Sequence, residues 1–160
     1  MARRPGRILV VAGTDGAGKS AIVQANASAW KLGFNALQRA INNNDDFSFE
    51  TTLGGYTIAR ALHQAIKAGL KIYIWYVGLA SPELHVARVR ARVARGGHEI
   101  PEAKIRERFP KSLANLVSFI GAAAEVHLSD NSAESADGLP QTMLVYRMRG
   151  RELLNRILKL

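Results

Sequence analysis

The sequence predicts an α/β fold, a mostly parallel central sheet with helices on both faces, and three observations lead there. Branched apolar runs at 7–12 and 70–77 have the composition of buried strands. Around them lie stretches whose apolar residues recur at steps of four and seven, the period of amphipathic helices. A glycine-rich octapeptide follows the first run directly. Strands alternating with helices assemble most readily as parallel strands joined by right-handed crossovers.

Taken in order, Arg7 to Ala12 (RILVVA) lies between Gly6 and Gly13 and reads as the first strand. From Gln24 to Asn43, Trp30, Leu37 and Ile41 fall on one side of a helix. Read literally, that helix runs from Lys19 and is ~38 Å long, far beyond the average of ~11–12 residues. A missing segment, with a join near Val23/Gln24, is the expectation. Phe47 to Thr51 reads as the second strand. Tyr56 to Ala68 carries Ile58, Leu62 and Ile66 at steps of four, with Gly69 as its stop. Leu70 to Val77 (LKIYIWYV) is a central strand. Ser81 caps the next helix, with Pro82 at its first position, and Gly96-Gly97 break it after Arg95. Pro101 starts a segment that Pro110 kinks or divides, and Leu113, Leu116, Val117 and Ile120 give its second half an apolar face. Ser129 to Gly138 is the clearest loop, Val126 to Leu128 and Met143 to Met148 are further strands, and Arg151 to Leu158 is a terminal helix or frayed tail. Trp30, Trp75, Phe119 and the tyrosines are assigned to core and rim, since they form no stacking platform for bases.

Length and composition narrow the function. The 160 residues suit one domain spanning 1–160, and 48% hydrophobic with 22% charged residues excludes disorder. No apolar stretch approaches the ~20 residues of a membrane span, and the apolar run after the basic start ends at Asp15, too short for a signal peptide. The absence of cysteine excludes disulfides, thiolate zinc sites and thiol catalysis and fits a reducing compartment, with cytoplasm the default. A net charge of +9 favours anionic partners, and much of it is concentrated between Arg88 and Lys111.

Gly13-Thr14-Asp15-Gly16-Ala17-Gly18-Lys19-Ser20 fits the Walker A pattern G-x-x-x-x-G-K-[ST], after a strand and before a helix. Glycines let backbone N–H groups converge on phosphate oxygens, Lys19 reaches the β and γ phosphates, and Ser20 ligates Mg²⁺. ATP and Mg²⁺ are therefore the expected cofactors, and a three-layer P-loop NTPase fold is the expected architecture. Asp15 should point outward, because a carboxylate on this loop repels phosphate. Further on, Arg88, Arg92 and Arg95 share a narrow helical sector, with Val86, Val89 and Val93 opposite. Like charges at this spacing are relieved by a polyphosphate, so residues from about 82 to 112 read as a lid. The Gly96-Gly97 pair would then act as a hinge bringing His98, Arg106 and Arg108 over the nucleotide. A solvated basic face or a nucleic-acid footprint is the competing reading of that stripe. Glu50 and Thr52, at the C-terminal end of the second strand, are placed to grip sugar hydroxyls, or Glu50 is a plain surface acid. Asp130-Asn131-Ser132 reads best as an ordinary turn.

The ordered set AGTDGAGKS, FSFETTLGG, the arginine helix with GGHEIP, and SDNS resembles the zeta-toxin-like family of P-loop kinases, especially its short stand-alone bacterial members, over residues 7–132. The resemblance implies a kinase that phosphorylates a hydroxyl of a nucleotide sugar such as UDP-N-acetylglucosamine, and a toxin–antitoxin setting with an antitoxin protein as partner; the alternatives are a non-catalytic nucleotide-binding protein, motivated by the missing aspartate, and a basic nucleic-acid-stimulated ATPase, motivated by the net charge. It carries phosphate and Mg²⁺ binding onto Lys19 and Ser20, acceptor binding onto Glu50 and Thr52, and phosphoryl stabilisation onto Arg88, Arg92, Arg95 and Arg106. The family's Asn-x-Asp motif, whose aspartate is the general base, has no counterpart between Ser20 and Glu50, so the base is unassigned.

Overall fold

The computed structural model describes residues 4–17, 27–134 and 140–156. Its strands are β1 (Arg7–Ala12), β2 (Phe47–Thr51), β3 (Lys71–Gly78), β4 (Glu125–Glu134), β5 (Pro140–Arg149) and β6 (Glu152–Arg156). Its helices are α1 (Ala27–Asn43), α2 (Tyr56–Lys67), α3 (Pro82–Val93) and α4 (Glu102–Phe119). One sheet holds all six strands in the order β2-β1-β3-β4-β5-β6. The pairs among β2, β1, β3 and β4 are parallel, and an antiparallel β4–β5–β6 meander completes the sheet.

Side chains alternate between the faces of a strand, and here the alternation decides where the core lies. Ile8, Val10 and Ala12 of β1 are fully buried, as are their register partners Ile72 and Ile74, with Tyr76 nearly so. Leu37 of α1, Leu62 of α2 and Phe119 of α4 join them in one cluster, each burial worth ~1.5–3 kcal/mol. The other face carries Leu9, Val11 and Tyr73, all partly covered, and Trp75, which is 49% exposed beside the His127 ring. Among the described residues, the helices that reach the sheet core do so from a single face. Trp75, assigned to core or rim, is half-exposed on that second face.

Three helices end in the same way. Asn44 (φ 57°), Gly69 (φ 94°) and Gly96 (φ 86°) take left-handed backbone after α1, α2 and α3. In each case the next residue's N–H reaches back to a helix carbonyl, at Ala40 (2.9 Å), Ala65 (3.0 Å) and Arg92 (3.0 Å). This closes otherwise orphaned helix carbonyls. The Gly96-Gly97 pair, expected to hinge, forms one of these stops. Gly97 is required because a Cβ there would lie 2.6 Å from the Arg92 Cγ. At the front of α3, Ser81 accepts the Leu84 N–H at 3.2 Å with Pro82 following, as the sequence predicts.

Other expectations need correction. α4 continues through Pro110 as one helix and is not divided. The polar stretch from Ser129 is not a loop as far as Glu134: it prolongs β4, with register shifts after Leu128 and Asp130 where the ladder with β5 is interrupted. Residues 135–139 lie outside the described residues. The expected terminal helix is a strand, because Gly150 (φ 54°) turns the chain so that 152–156 pair with β5, and sheet pairing outweighs local helix preference. The join near Val23/Gln24 and the start of the first helix also lie outside the described residues.

Candidate functional site

The chain leaves β1 for β2 on one side and later returns to β3 on the other, so strand order reverses at the C-terminal end of β1. Open α/β sheets hold ligands at this position. The glycine loop begins there, and its first residue has no freedom to vary. Gly13 has φ 143°, and a Cβ on it would overlap the Val77 carbonyl oxygen of β3. Gly16 (φ 82°) lies under α3, where a Cβ would sit 3.1 Å from the His85 carbonyl oxygen and 3.5 Å from the Arg88 Cβ. The arginine helix is laid directly on the loop.

Buried polar groups fix this arrangement. His85 and Thr14 are fully buried. The His85 Nδ1–H donates to the Asp15 carbonyl oxygen at 2.6 Å, and its Nε2 takes the Thr14 hydroxyl hydrogen at 2.7 Å, a tautomer that satisfies both partners. From β4, Asn131 donates to the Ala17 carbonyl at 3.0 Å and accepts from the Thr142 hydroxyl at 2.8 Å. Asn131 is thus not part of an ordinary turn but a 3% exposed strut holding the loop. Asp15 does not point outward: its carboxylate, 13% exposed, takes a 2.8 Å ion pair from Arg108 of α4.

The arginine stripe divides. Arg88 is only 15% exposed in its side chain, and its Nη2 has no hydrogen-bond acceptor; the nearest carboxylate, Glu134, stands 3.8 Å away, too far for one. Arg92 donates Nη2–H to the His98 carbonyl at 3.0 Å, while its buried Nε has no acceptor. Arg95 is exposed and spends its Nε–H on the Ala91 carbonyl of its own helix. Arg106 is held in exposed ion pairs with Glu83 (2.6 Å) and Glu102 (2.8 Å), which raise its pKa, and its described contacts do not include the loop. Arg108, two residues further along α4 and expected beside the loop together with Arg106, is the one that reaches it. His98 is exposed and contributes only its carbonyl.

At the end of β2, Leu53 (φ 53°) is fully buried and turns the chain. Ser112 donates to the Thr52 carbonyl at 2.6 Å and receives the Tyr76 hydroxyl hydrogen at 2.8 Å; burial raises the Tyr76 pKa, keeping it a donor. Asn115 donates to the Leu53 carbonyl at 2.7 Å. Thr52 is thereby held at the site edge. Glu50 is exposed and, opposite Val11 in the register, lies on the sheet face away from the helix-covered core. Gly18, Lys19 and Ser20 lie outside the described residues, so the phosphate and Mg²⁺ ligands named from the sequence keep that status. Among the described residues no acidic or histidine cluster offers a metal site by itself, and no helix is long and apolar enough to cross a membrane.

Sequence reasoning missed His85 and read Asn131 only as part of a turn. At 100° per residue, His85 stands between the arginine and valine sectors of α3, a border position that marks it as the residue turning from core to site. Asn131 carried only its place in the SDNS motif, which does not say what its side chain holds.

No protein-family profile matches the chain. An uncharacterized protein of Haemophilus influenzae (strain ATCC 51907 / DSM 11121 / KW20 / Rd) is 31% identical over 85 residues, covering 53% of this chain and 61% of that protein. Among solved structures, AvrRxo1-ORF1:-ORF2 with ATP is similar at a TM-score of 0.60 and 11% identity. AvrRxo1-ORF1:AvrRxo1-ORF2 with sulphate ions is similar at 0.59 and 13%. Each match covers 93% of this chain and 60% of the other, so the chain spans about three fifths of the length of the proteins it matches. At these identities the likeness shows the fold: a mostly parallel α/β sheet flanked by helices.

Proposed function

We propose that the protein is a Mg²⁺- and ATP-dependent P-loop kinase that phosphorylates a hydroxyl of a small substrate, with nucleotide sugars such as UDP-N-acetylglucosamine the first class to try. The observation that carries the reading is the pair of buried guanidinium N–H groups on Arg88 and Arg92 without acceptors, on the helix that lies against the glycine loop. A buried donor left unsatisfied costs ~1–3 kcal/mol, and a polyphosphate supplies acceptors to both. The Walker A sequence at the switch point of the sheet supports the same ligand, as do similar folds solved with ATP and with sulphate ions.

In this reading the backbone of residues 13–17 and Lys19 cradle the phosphates, and Arg88 and Arg92 stabilise charge on the moving phosphoryl group. Thr52 and Glu50 orient the acceptor hydroxyl. Mg²⁺, held through Ser20 and the nucleotide, neutralises phosphate charge. A protein partner is part of the proposal, since the similar folds were solved as two-protein complexes and the sequence resembles a toxin family with antitoxins. The test is mass spectrometry of UDP-N-acetylglucosamine and related acceptors incubated with ATP, Mg²⁺ and the protein, beside Lys19→Ala. Transfer by wild type and none by the variant is expected; equal turnover by both rejects the loop as the catalytic cradle. A second reading, nucleotide binding without transfer, draws on Asp15: the loop's own carboxylate is committed to Arg108 and is not offered to a substrate proton. Nucleotide binding with no product across the acceptor panel selects it.

A further inference from the structure

Asp15 poses a problem that the proposed function does not solve. A carboxylate on a phosphate-binding loop, 13% exposed, repels the anion that the loop exists to hold. Among the described residues, Arg108 is the cation placed on it. Arg108 Nη1 meets Asp15 Oδ2 at 2.8 Å, across 93 residues of sequence. The Arg108 stem is laid on Gly54, where a Cβ would lie 2.8 Å from the Arg108 Cβ, so that glycine makes room for it. Arg108 therefore touches the phosphate loop and the acceptor-side turn at once, and α4 itself is bonded to that turn through Ser112 and Asn115.

We propose that Arg108 is a positioning residue for the loop: it neutralises Asp15 and clasps the loop to the turn at Gly54, and anion binding by the loop depends on that neutralisation. This rests on the nucleotide reading above and adds to it a residue that acts on the ligand through Asp15. Arg106, two positions earlier, has no part in it, being held by Glu83 and Glu102.

The experiment is a charge-rescue cycle on the full chain with Arg108→Ala, Arg108→Lys, Asp15→Asn and the Arg108→Ala/Asp15→Asn double variant. ATP affinity is read by calorimetry and stability by thermal unfolding without nucleotide. Arg108→Ala is expected to weaken ATP binding by about tenfold or more, because it leaves a largely buried carboxylate uncompensated. The double variant is expected to recover most of that loss, and Arg108→Lys to fall between, keeping charge but not the fork. A double variant as weak as Arg108→Ala overturns the proposal, since Arg108 would then act on the ligand directly. So does an unchanged affinity in Arg108→Ala. Thermal unfolding separates this outcome from failure of the nucleotide reading. Coupling between the two substitutions, with no ATP binding by wild type, keeps the clasp and rejects the nucleotide; absence of coupling rejects the clasp whatever binds.

Discussion

Arg88→Met separates folding from binding at one position. Arg88 is 15% exposed, and its Nη2 is buried without an acceptor, so the ligand-free protein carries a desolvated donor costing ~1–3 kcal/mol. Against this stands the loose pair with Glu134, at 3.8 Å and with Glu134 59% exposed, worth ~0–1 kcal/mol. Met fills a similar volume without the charge. The ligand-free variant is therefore expected to be as stable as wild type or more stable by up to ~3 kcal/mol, a rise in Tm of up to about 10 °C in a chain of this size. With ATP at a hundredfold excess over Kd, wild type gains ~2.7 kcal/mol, and the variant should lose most of that gain. Thermal unfolding with and without Mg·ATP reads both effects. A variant that melts several degrees below wild type while keeping the full ATP shift would refute the reasoning, because Arg88 would then serve the fold and not an anion.

Two further outcomes follow from particular contacts. Gly13→Ala should lower stability by more than ~2 kcal/mol, with Tm falling by more than about 4 °C, since φ 143° and the Val77 carbonyl both refuse a Cβ; a wild-type melting curve would contradict the loop geometry. Glu125 is hydrogen-bonded to His127 and paired with Arg147, which hold its carboxyl down to about 2 from a usual 4.5. Its folded pKa is depressed, so its contribution is fully present above 4.5 and is lost as pH falls from 4.5 through about 2. Urea unfolding across that window should show a slope that Glu125→Gln flattens, and an equal slope in both proteins would refute the assignment.

The parts of the fold written in the sequence are those where a local rule agrees with the tertiary need. Ile8 to Ala12 is apolar throughout and lies inside the sheet; Ser81-Pro82 starts a helix by capping chemistry; Gly69 and Gly96 stop helices because glycine takes that φ cheaply. Where pairing decides, the sequence misleads. Residues 129–134 are polar yet extend β4, and 152–156 look helical yet are held as a strand by β5. At the site, the loop and Arg88 are legible from spacing. The difference between Arg106 and Arg108 is not, because both suit a basic helix and only the turn of α4 decides which faces Asp15 and which faces Glu83.

The position of α4 has a mechanical consequence. One continuous helix carries the Arg108 grip on the glycine loop, the Ser112 and Asn115 bonds to the turn after β2, and the stacking of Phe119 under His63 of α2. A cover built on such a rod has no independent travel: tilting it drags the floor of the neighbouring compartment along. For the kinase proposed above, engagement of one substrate would then be felt by the berth of the other without any dedicated relay between them.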